Sequence, residues 1–110
     1  LRFVEKIKPS FFVMENVSNL KGVGGGRLYK QIVEKAEAAG YSVTNGILLA
    51  ADYGAPQMRR RLLFIGSRKG LPKIKMPEPT HGQGESLFGT RPHVSVCEAF
   101  DGLPSLNEND

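Results

Sequence analysis

Residues 52–66 have the sequence DYGAPQMRRRLLFIG, which combines a predicted turn with a predicted core strand. The Gly-Ala-Pro at 54–56 favours a turn, and the apolar run after it predicts a buried strand over Leu62–Ser67. Polar side chains recur at every second position before that strand, and alternate residues of a strand share a face. These are Gln57, Arg59 and Arg61. Such a row of donors suits an anionic, planar partner, or else forms a basic strand edge that discourages aggregation.

The elements before this stretch follow an α/β order. We expect a strand over Phe11–Val17, a helix over Arg27–Ala39 and a second strand over Tyr41–Ala50, with a kink or bulge at Asn45-Gly46. The second strand is expected to pair with Leu62–Ser67 across the turn. The apolar run of the first strand predicts burial on both faces, as in a parallel sheet, beside strands outside this chain. A short helical turn is expected over Val96–Phe100.

Composition limits the class of protein. The 110 residues are 40% hydrophobic and 24% charged, with one cysteine, which fits one small domain or part of a larger one and no disulfide framework. We find no apolar run of transmembrane length and no signal peptide, so we expect no membrane partner and a cytoplasmic location. The chain opens inside a helical pattern and ends in polar residues, which we interpret as a segment of a longer protein.

Charge is distributed unevenly although the net charge is only +4. From Tyr53 to Pro77 there is no acidic residue, whereas arginines and lysines recur. The basic residues are Arg59, Arg60, Arg61, Arg68, Lys69, Lys73 and Lys75. A basic segment of this kind suits a phosphate backbone, and a solvated basic surface is the alternative.

A carboxylate and an amide, Glu15 and Asn16, lie at the carboxyl end of the first strand. In open α/β sheets ligands bind at that edge. A partly desolvated glutamate there is suited to hold and donate a proton, and a structural pair with an arginine is the alternative.

Other candidate sites are weaker. The glycine-rich segment 22–26 lacks the G-x-G-x-x-G spacing, so we interpret it as a flexible loop. Cys97 is expected to be a small core residue. His81 and His93 are too few and too isolated to predict a metal site.

Together these features resemble the cytosine-5 DNA methyltransferases. Residues 8–17, KPSFFVMENV, contain that family's Glu-Asn-Val motif, and residues 52–61 are similar to its Gln-x-Arg-x-Arg motif with the usual lead-in. Residues 79–81 and 96–104, the latter VCEAFDGLP, are similar to the passage that leads toward the family's target-recognition region. The resemblance covers most of the chain.

The resemblance implies a partial Rossmann-like fold of the S-adenosylmethionine-dependent methyltransferases. The chain would be the C-terminal half of the catalytic sheet, in the order strand-helix-strand-strand. Residues 1–76 would belong to the catalytic domain, and residues 77–110 would form a proline-rich segment leading toward target recognition. The family's Pro-Cys nucleophile and its cofactor loop lie upstream, and no Pro-Cys occurs here. We therefore expect cofactor-binding residues outside this chain and no activity from the chain alone.

The resemblance also implies a role for each site residue. Glu15, Arg59 and Arg61 would be catalytic: Glu15 at N3 and the amino group of a flipped cytosine, Arg61 at O2, and Arg59 in support. Gln57, Arg60 and Asn16 would serve DNA binding, with Asn16 better suited to fixing the loop after the strand than to touching the base.

The expected partners are DNA and the methyl donor S-adenosylmethionine, in a bacterial or phage restriction–modification setting. The exposed edge of strand 11–17 also predicts self-association. Two alternatives stay open: a tRNA cytosine-5 methyltransferase of the same fold, and a catalytically silent methyltransferase-like module that binds nucleic acid.

Overall fold

The computed structural model describes residues 1–82 and 89–104. Contacts divide the chain into two units. We call Leu1–Leu49 with Arg60–Glu78 the sheet unit, and Ala50–Arg59 with the described residues from Pro79 onward the turn unit. The predicted division at residue 76 is a functional one and stays a prediction. In the described residues, no helix is long and apolar enough to cross a membrane.

Three strands form the sheet, in the order β1-β3-β2. Their bounds are Phe11–Val17 (β1), Tyr41–Leu49 (β2) and Arg60–Arg68 (β3). The predicted β2–β3 hairpin is confirmed, since the two strands pair antiparallel without interruption from Tyr41↔Arg68 to Leu49↔Arg60. The bulge expected at Asn45-Gly46 is wrong, because both residues keep their register in this ladder.

The prediction for β1 is wrong in two respects. β1 pairs antiparallel with β3 along its whole length, from Phe11↔Ser67 to Val17↔Arg61, and so has a partner within the chain. Its residues also alternate between exposed and half-buried, so one face, not both, is covered. An apolar run alone cannot distinguish these arrangements, because the covering elements are distant in sequence.

One face of the sheet carries the core. Helix α2, Arg27–Ala38, packs its apolar stripe there, and the predicted helix is confirmed. Leu62 and Phe64 of β3 are fully buried beneath it, with Ile32 and Val33 of the helix packed against them. Gly40 follows the helix at φ 91°, a left-handed conformation that glycine adopts without strain.

Phe12 and Gly66 lie opposite each other on β1 and β3. The Phe12 ring occupies the space that a side chain at Gly66 would fill. It also meets the Tyr41 ring edge-on, with 5.1 Å between centroids. The Tyr41 hydroxyl, almost fully buried, donates a hydrogen bond to the Pro9 carbonyl at 2.7 Å. This cluster attaches to the sheet the short connection that follows helix α1, Arg2–Ile7.

The other face of the sheet is covered by the segment that follows β3. The backbone N–H of Ile74 donates to the Ser67 hydroxyl at 3.2 Å, and the Met76 side chain lies over Gly46. On the β1 side of the same face, large apolar side chains remain exposed. They are Phe11, Val13 and Val17.

The turn unit is built from a 3-10 turn at Ala50–Tyr53, two short parallel strands and a helix. The strands are His81–Gly82 (β4) and Arg91–Pro92 (β5). Helix α3, Val96–Phe100, confirms the predicted helical turn. Ser95 and Glu98 close a capping box at its start, in which each side chain accepts a hydrogen bond from the other residue's backbone N–H.

Candidate functional site

Glu15 and Arg61 form an ion pair on the sheet face opposite α2. Glu15 is the fifth residue of β1, and Arg61 lies beside it near the start of β3. The Nε of Arg61 and Oε1 of Glu15 are in direct ion-pair contact, while the two side chains keep 26% and 52% of their exposure respectively. The sequence placed these residues in one site only through the family resemblance, and the structure brings them into contact.

The pair leaves hydrogen-bonding capacity unused. One Arg61 nitrogen, Nη1, donates to the Arg60 carbonyl at 3.1 Å. Within the described residues, Nη2 of Arg61 and Oε2 of Glu15 have no hydrogen-bond partner. A planar ligand with an acceptor beside a donor could therefore contact the guanidinium and the carboxylate together. At this exposure the ion pair itself stabilises the fold little.

Asn16 lies on the opposite face of β1 from Glu15, as strand alternation requires. Its Oδ1 accepts a hydrogen bond from the backbone N–H of Val17 at 2.8 Å. That contact fixes the end of the strand just before the 3-10 turn at Ser18–Lys21.

The expected row of Gln57, Arg59 and Arg61 on one strand is wrong. β3 begins at Arg60, so only Arg61 of the three lies in the strand, whereas Gln57 and Arg59 belong to the turn unit. The backbone N–H of Gln57 donates to Ala55 at 2.8 Å, and that of Arg59 donates to Gln57 at 2.9 Å. These tight i→i−2 turns replace the extended geometry that the alternation argument assumed. Arg60 is in the strand and exposed, on the face opposite Arg61.

The basic residues lie at opposite ends of β3. Arg61 and Arg68 are seven residues apart, which is about 23 Å along a strand. Arg68 donates from Nη2 to the carbonyl of Lys8, which ends helix α1, and so has a structural contact. Lys69 and Lys73 line a shallow cavity with Tyr41, at this same far end of the sheet. These charges therefore do not surround the Glu15–Arg61 pair.

No cofactor cradle is formed by the glycine-rich segment. Gly24 and Gly25 have φ values of 60° and 66°, and a side chain added at either would meet nothing within 4 Å. These glycines allow the turn before α2, and they line no enclosed space that S-adenosylmethionine would fill. Among the described residues no group of three or more His, Cys, Asp or Glu side chains could hold a metal ion.

The structure also contains a contact that the sequence did not reveal. Asp52 Oδ1 and His93 Nε2 lie 2.9 Å apart in the turn unit, although 41 residues separate them. No local pattern could have found this pair. The prediction that Cys97 is a core residue is wrong, because its side chain is exposed.

The chain matches known methyltransferases over most of its length. Residues 1–98 match the family described as C-5 cytosine-specific DNA methylase. The chain is 40% identical over 104 residues to the Type II methyltransferase M.BspRI of Lysinibacillus sphaericus, covering 94% of this chain and 24% of that protein. It is 48% identical over 113 residues to the Type II methyltransferase M.XorII of Xanthomonas oryzae pv. oryzae, covering 100% and 25%.

The fold has a counterpart among solved structures. A crystal structure of a candidate DNA modification methyltransferase, encoded within a prophage of E. coli, superposes with a TM-score of 0.69 at 27% identity. The match covers 96% of this chain and 28% of that one. The chain thus spans about a quarter of the length of these relatives. The expected partial methyltransferase fold is confirmed, and the chain belongs to the C-5 cytosine-specific DNA methylase family.

Proposed function

We propose that this chain is the part of a DNA (cytosine-5)-methyltransferase that grips the target cytosine, in a bacterial or phage restriction–modification system. The observation that carries the proposal is the ion pair between Glu15 and Arg61 on one face of β1 and β3. Support comes from the family match and from relatives that are named Type II methyltransferases. The cytoplasm, where bacterial DNA lies, is the proposed location.

In the absence of DNA, Glu15 and Arg61 contact each other at the position that we propose for the target cytosine. A cytosine entering the site would take over both groups, with its O2 accepting from the Arg61 guanidinium and its N3 and amino group facing the Glu15 carboxyl. Pairing in the free protein holds the two side chains against each other. Because both side chains are part-exposed, separating them costs little free energy, and the cytosine can replace the ion pair at a small energetic cost.

The chemistry explains why these two groups are needed. C5 of cytosine is a poor nucleophile, and thiolate attack at C6 makes it reactive while negative charge builds on N3 and O2. Glu15 would keep a proton at N3, an effect worth roughly 10²–10⁴ in rate. Arg61 would stabilise the charge on O2. S-adenosylmethionine would supply the electrophilic methyl group, held by residues that this chain does not contain.

The remaining site residues would act on the DNA. A base cannot react within the duplex and must be flipped out, at a cost of a few kcal/mol. Gln57, Arg59 and Arg60 would offset that cost by contacting the backbone near the flipped nucleotide, and Arg59 would also support the catalytic site. Asn16 would keep the end of β1 in the shape that presents Glu15.

The test is methyl transfer by the complete enzyme that we propose contains this chain. Purified enzyme, S-adenosylmethionine labelled in the methyl group and duplex DNA should yield 5-methylcytosine on digestion, and excess unlabelled tRNA should not compete. Label transferred to tRNA in preference to DNA would favour the tRNA enzyme. Nucleic-acid binding without any 5-methylcytosine would favour the silent module and overturn the proposal.

A further inference from the structure

The Asp52–His93 pair joins two distant segments of the turn unit. Nε2 of His93 lies 2.9 Å from Asp52 Oδ1, and the two side chains keep only 18% and 32% of their exposure. The main chain of Asp52 is also used, since its carbonyl accepts a hydrogen bond from the backbone N–H of Thr80 at 2.9 Å. Asp52 therefore holds the segment after Pro79 at two separate points.

A histidine ring strengthens the same junction. Gly54 has a φ of 89°, and the His81 ring lies so close that an added Cβ would be 2.8 Å from its Cε1. The ring is held in turn by the Thr80 hydroxyl, 2.8 Å from Nδ1. β4 pairs with β5, and the backbone N–H of His93 donates to the Gly82 carbonyl at 3.2 Å. The described residues on either side, at 79–82 and 91–93, are thus hydrogen-bonded to each other.

The loop that this junction holds carries two of the proposed DNA contacts. Ala50–Arg59 is closed at its base by the Ala50 N–H, which donates to the Arg59 carbonyl at 2.8 Å. Within the described residues, the side chains of Gln57 and Arg59 have no hydrogen-bond partner and both are exposed. Because no hydrogen bond from a described residue holds these two side chains, their position depends on how the rest of the loop is held.

We propose that Asp52 and His93 are positioning residues, a clamp that holds loop 50–59 so that Gln57 and Arg59 meet the DNA backbone. The proposal rests on the function proposed above. A neutral imidazole and an imidazolium can both donate from Nε2 to a carboxylate, so the clamp needs only that donor. A glutamine at position 93 carries an amide nitrogen at a similar reach, whereas a leucine of similar size carries none.

Kinetics of the complete methyltransferase test the positioning role. We expect His93→Leu to raise KM for DNA about tenfold, the effect of losing one hydrogen bond, with a smaller fall in kcat because Arg59 also supports the catalytic site. His93→Gln should restore most of the affinity. Asp52→Ala should match His93→Leu, and the double variant should be no worse than either, because both remove one shared contact. Asp101→Ala is the control, since it removes an exposed carboxylate elsewhere in the turn unit.

An unchanged KM in His93→Leu would overturn the clamp, as would equal losses in His93→Gln and His93→Leu. Multiplicative losses in the double variant would also contradict it, because they mean that the two residues act separately.

Amide hydrogen exchange on the present chain separates this proposal from the function on which it rests. His93→Leu should speed exchange of the Ala50, Ala55 and Thr80 amides about tenfold and leave the β1 amides unchanged. A wild-type enzyme that makes no 5-methylcytosine, together with this exchange result, would refute the function and keep the clamp. An active enzyme in which loop exchange does not respond to His93→Leu would refute the clamp alone.

Discussion

Glu15 and Arg61 are diagonal neighbours on one face of β1 and β3, because Arg61 is in register with Val17, two residues beyond Glu15. Diagonal neighbours in an antiparallel pair are within reach only of long side chains, and a glutamate and an arginine meet that condition. The register of the sheet therefore sets the spacing between the carboxyl and the guanidinium. A ligand that contacts both groups must match that spacing, and we propose that one edge of a cytosine ring does.

Glu15→Gln tests the role of the carboxyl in the complete enzyme. The variant keeps the shape of the side chain and its ability to contact the amino group, but it cannot hold a proton for N3. We expect kcat for methyl transfer to fall by at least about 10²-fold, with the Kd for DNA little changed. Glu34→Gln, on an exposed position of α2, is the matched control. Near-normal turnover in Glu15→Gln would refute the role given to Glu15.

Substitutions of Arg60 and Arg61, the first two residues of β3, should affect different properties of the enzyme. Arg61→Lys keeps the charge but loses the planar fork, so we expect kcat to drop by about tenfold or more at saturating DNA. Arg60→Ala should instead weaken DNA binding and lower the slope of log K against log salt by about one. Titrations at several salt concentrations, combined with single-turnover rates, measure both effects. If both variants changed the DNA affinity and the single-turnover rate equally, the assignment of Arg61 to catalysis and Arg60 to DNA binding would be contradicted.

Gly66→Ala tests the corner that attaches β1 to β3. The added methyl group would enter the space of the Phe12 ring, which Tyr41 confines from its other side. We expect the free energy of unfolding to fall by about 1–3 kcal/mol, the usual cost of overpacking a core. Urea denaturation of the present chain measures it. Gly22→Ala is the control, because a methyl group there would meet only the Asn19 carbonyl at an ordinary 3.7 Å.

Local patterns predicted the elements and the pairing of β2 with β3, but not the partner of β1. The apolar stripe of α2 and the apolar run of β1 predict the positions of both elements, because each signal lies within its own segment of sequence. Local sequence patterns could not predict that β1 pairs with β3. Val17 and Arg61 are 44 positions apart in the numbering, and α2 and β2 lie between them in the sequence.

For the candidate site too, local sequence patterns did not predict which residues come into contact. Glu15 and Arg61 were linked only by the family resemblance, because alternation along one strand says nothing about a neighbouring strand. Alternation misled for Gln57 and Arg59, since the turn at 54–56 delays the start of β3 to Arg60. The Asp52–His93 contact leaves no local signal, because each residue taken alone is an ordinary loop residue.

The outer edge of β1 should mediate self-association of this chain. Within the described residues β1 pairs only with β3, and Val13 on its uncovered face is 68% exposed. An unpaired strand edge beside apolar side chains is a template for a second copy. We expect light scattering at high concentration to show species larger than a monomer, and Val13→Lys to suppress them. Val23→Lys, half exposed in a 3-10 turn away from the sheet, should not. A clean monomer in the unmodified chain would contradict the prediction.

The capping box of α3 should respond to acid. The backbone N–H of Ser95 donates to Glu98 Oε2 at 2.7 Å and lowers the pKa of that carboxyl, and the Ser95 side chain adds a smaller effect in the same direction. Because the pKa is lowered in the folded state, the stabilisation is fully present above about 4.3, the ordinary glutamate value, and is lost as the pH falls through the lowered value. Amide chemical shifts of Ser95 and of α3 should follow that titration. Glu98→Gln should keep the box and abolish its pH dependence, because an amide oxygen accepts the same hydrogen bond without titrating. A Ser95 amide that titrates equally in both proteins would show that another group controls the start of the helix.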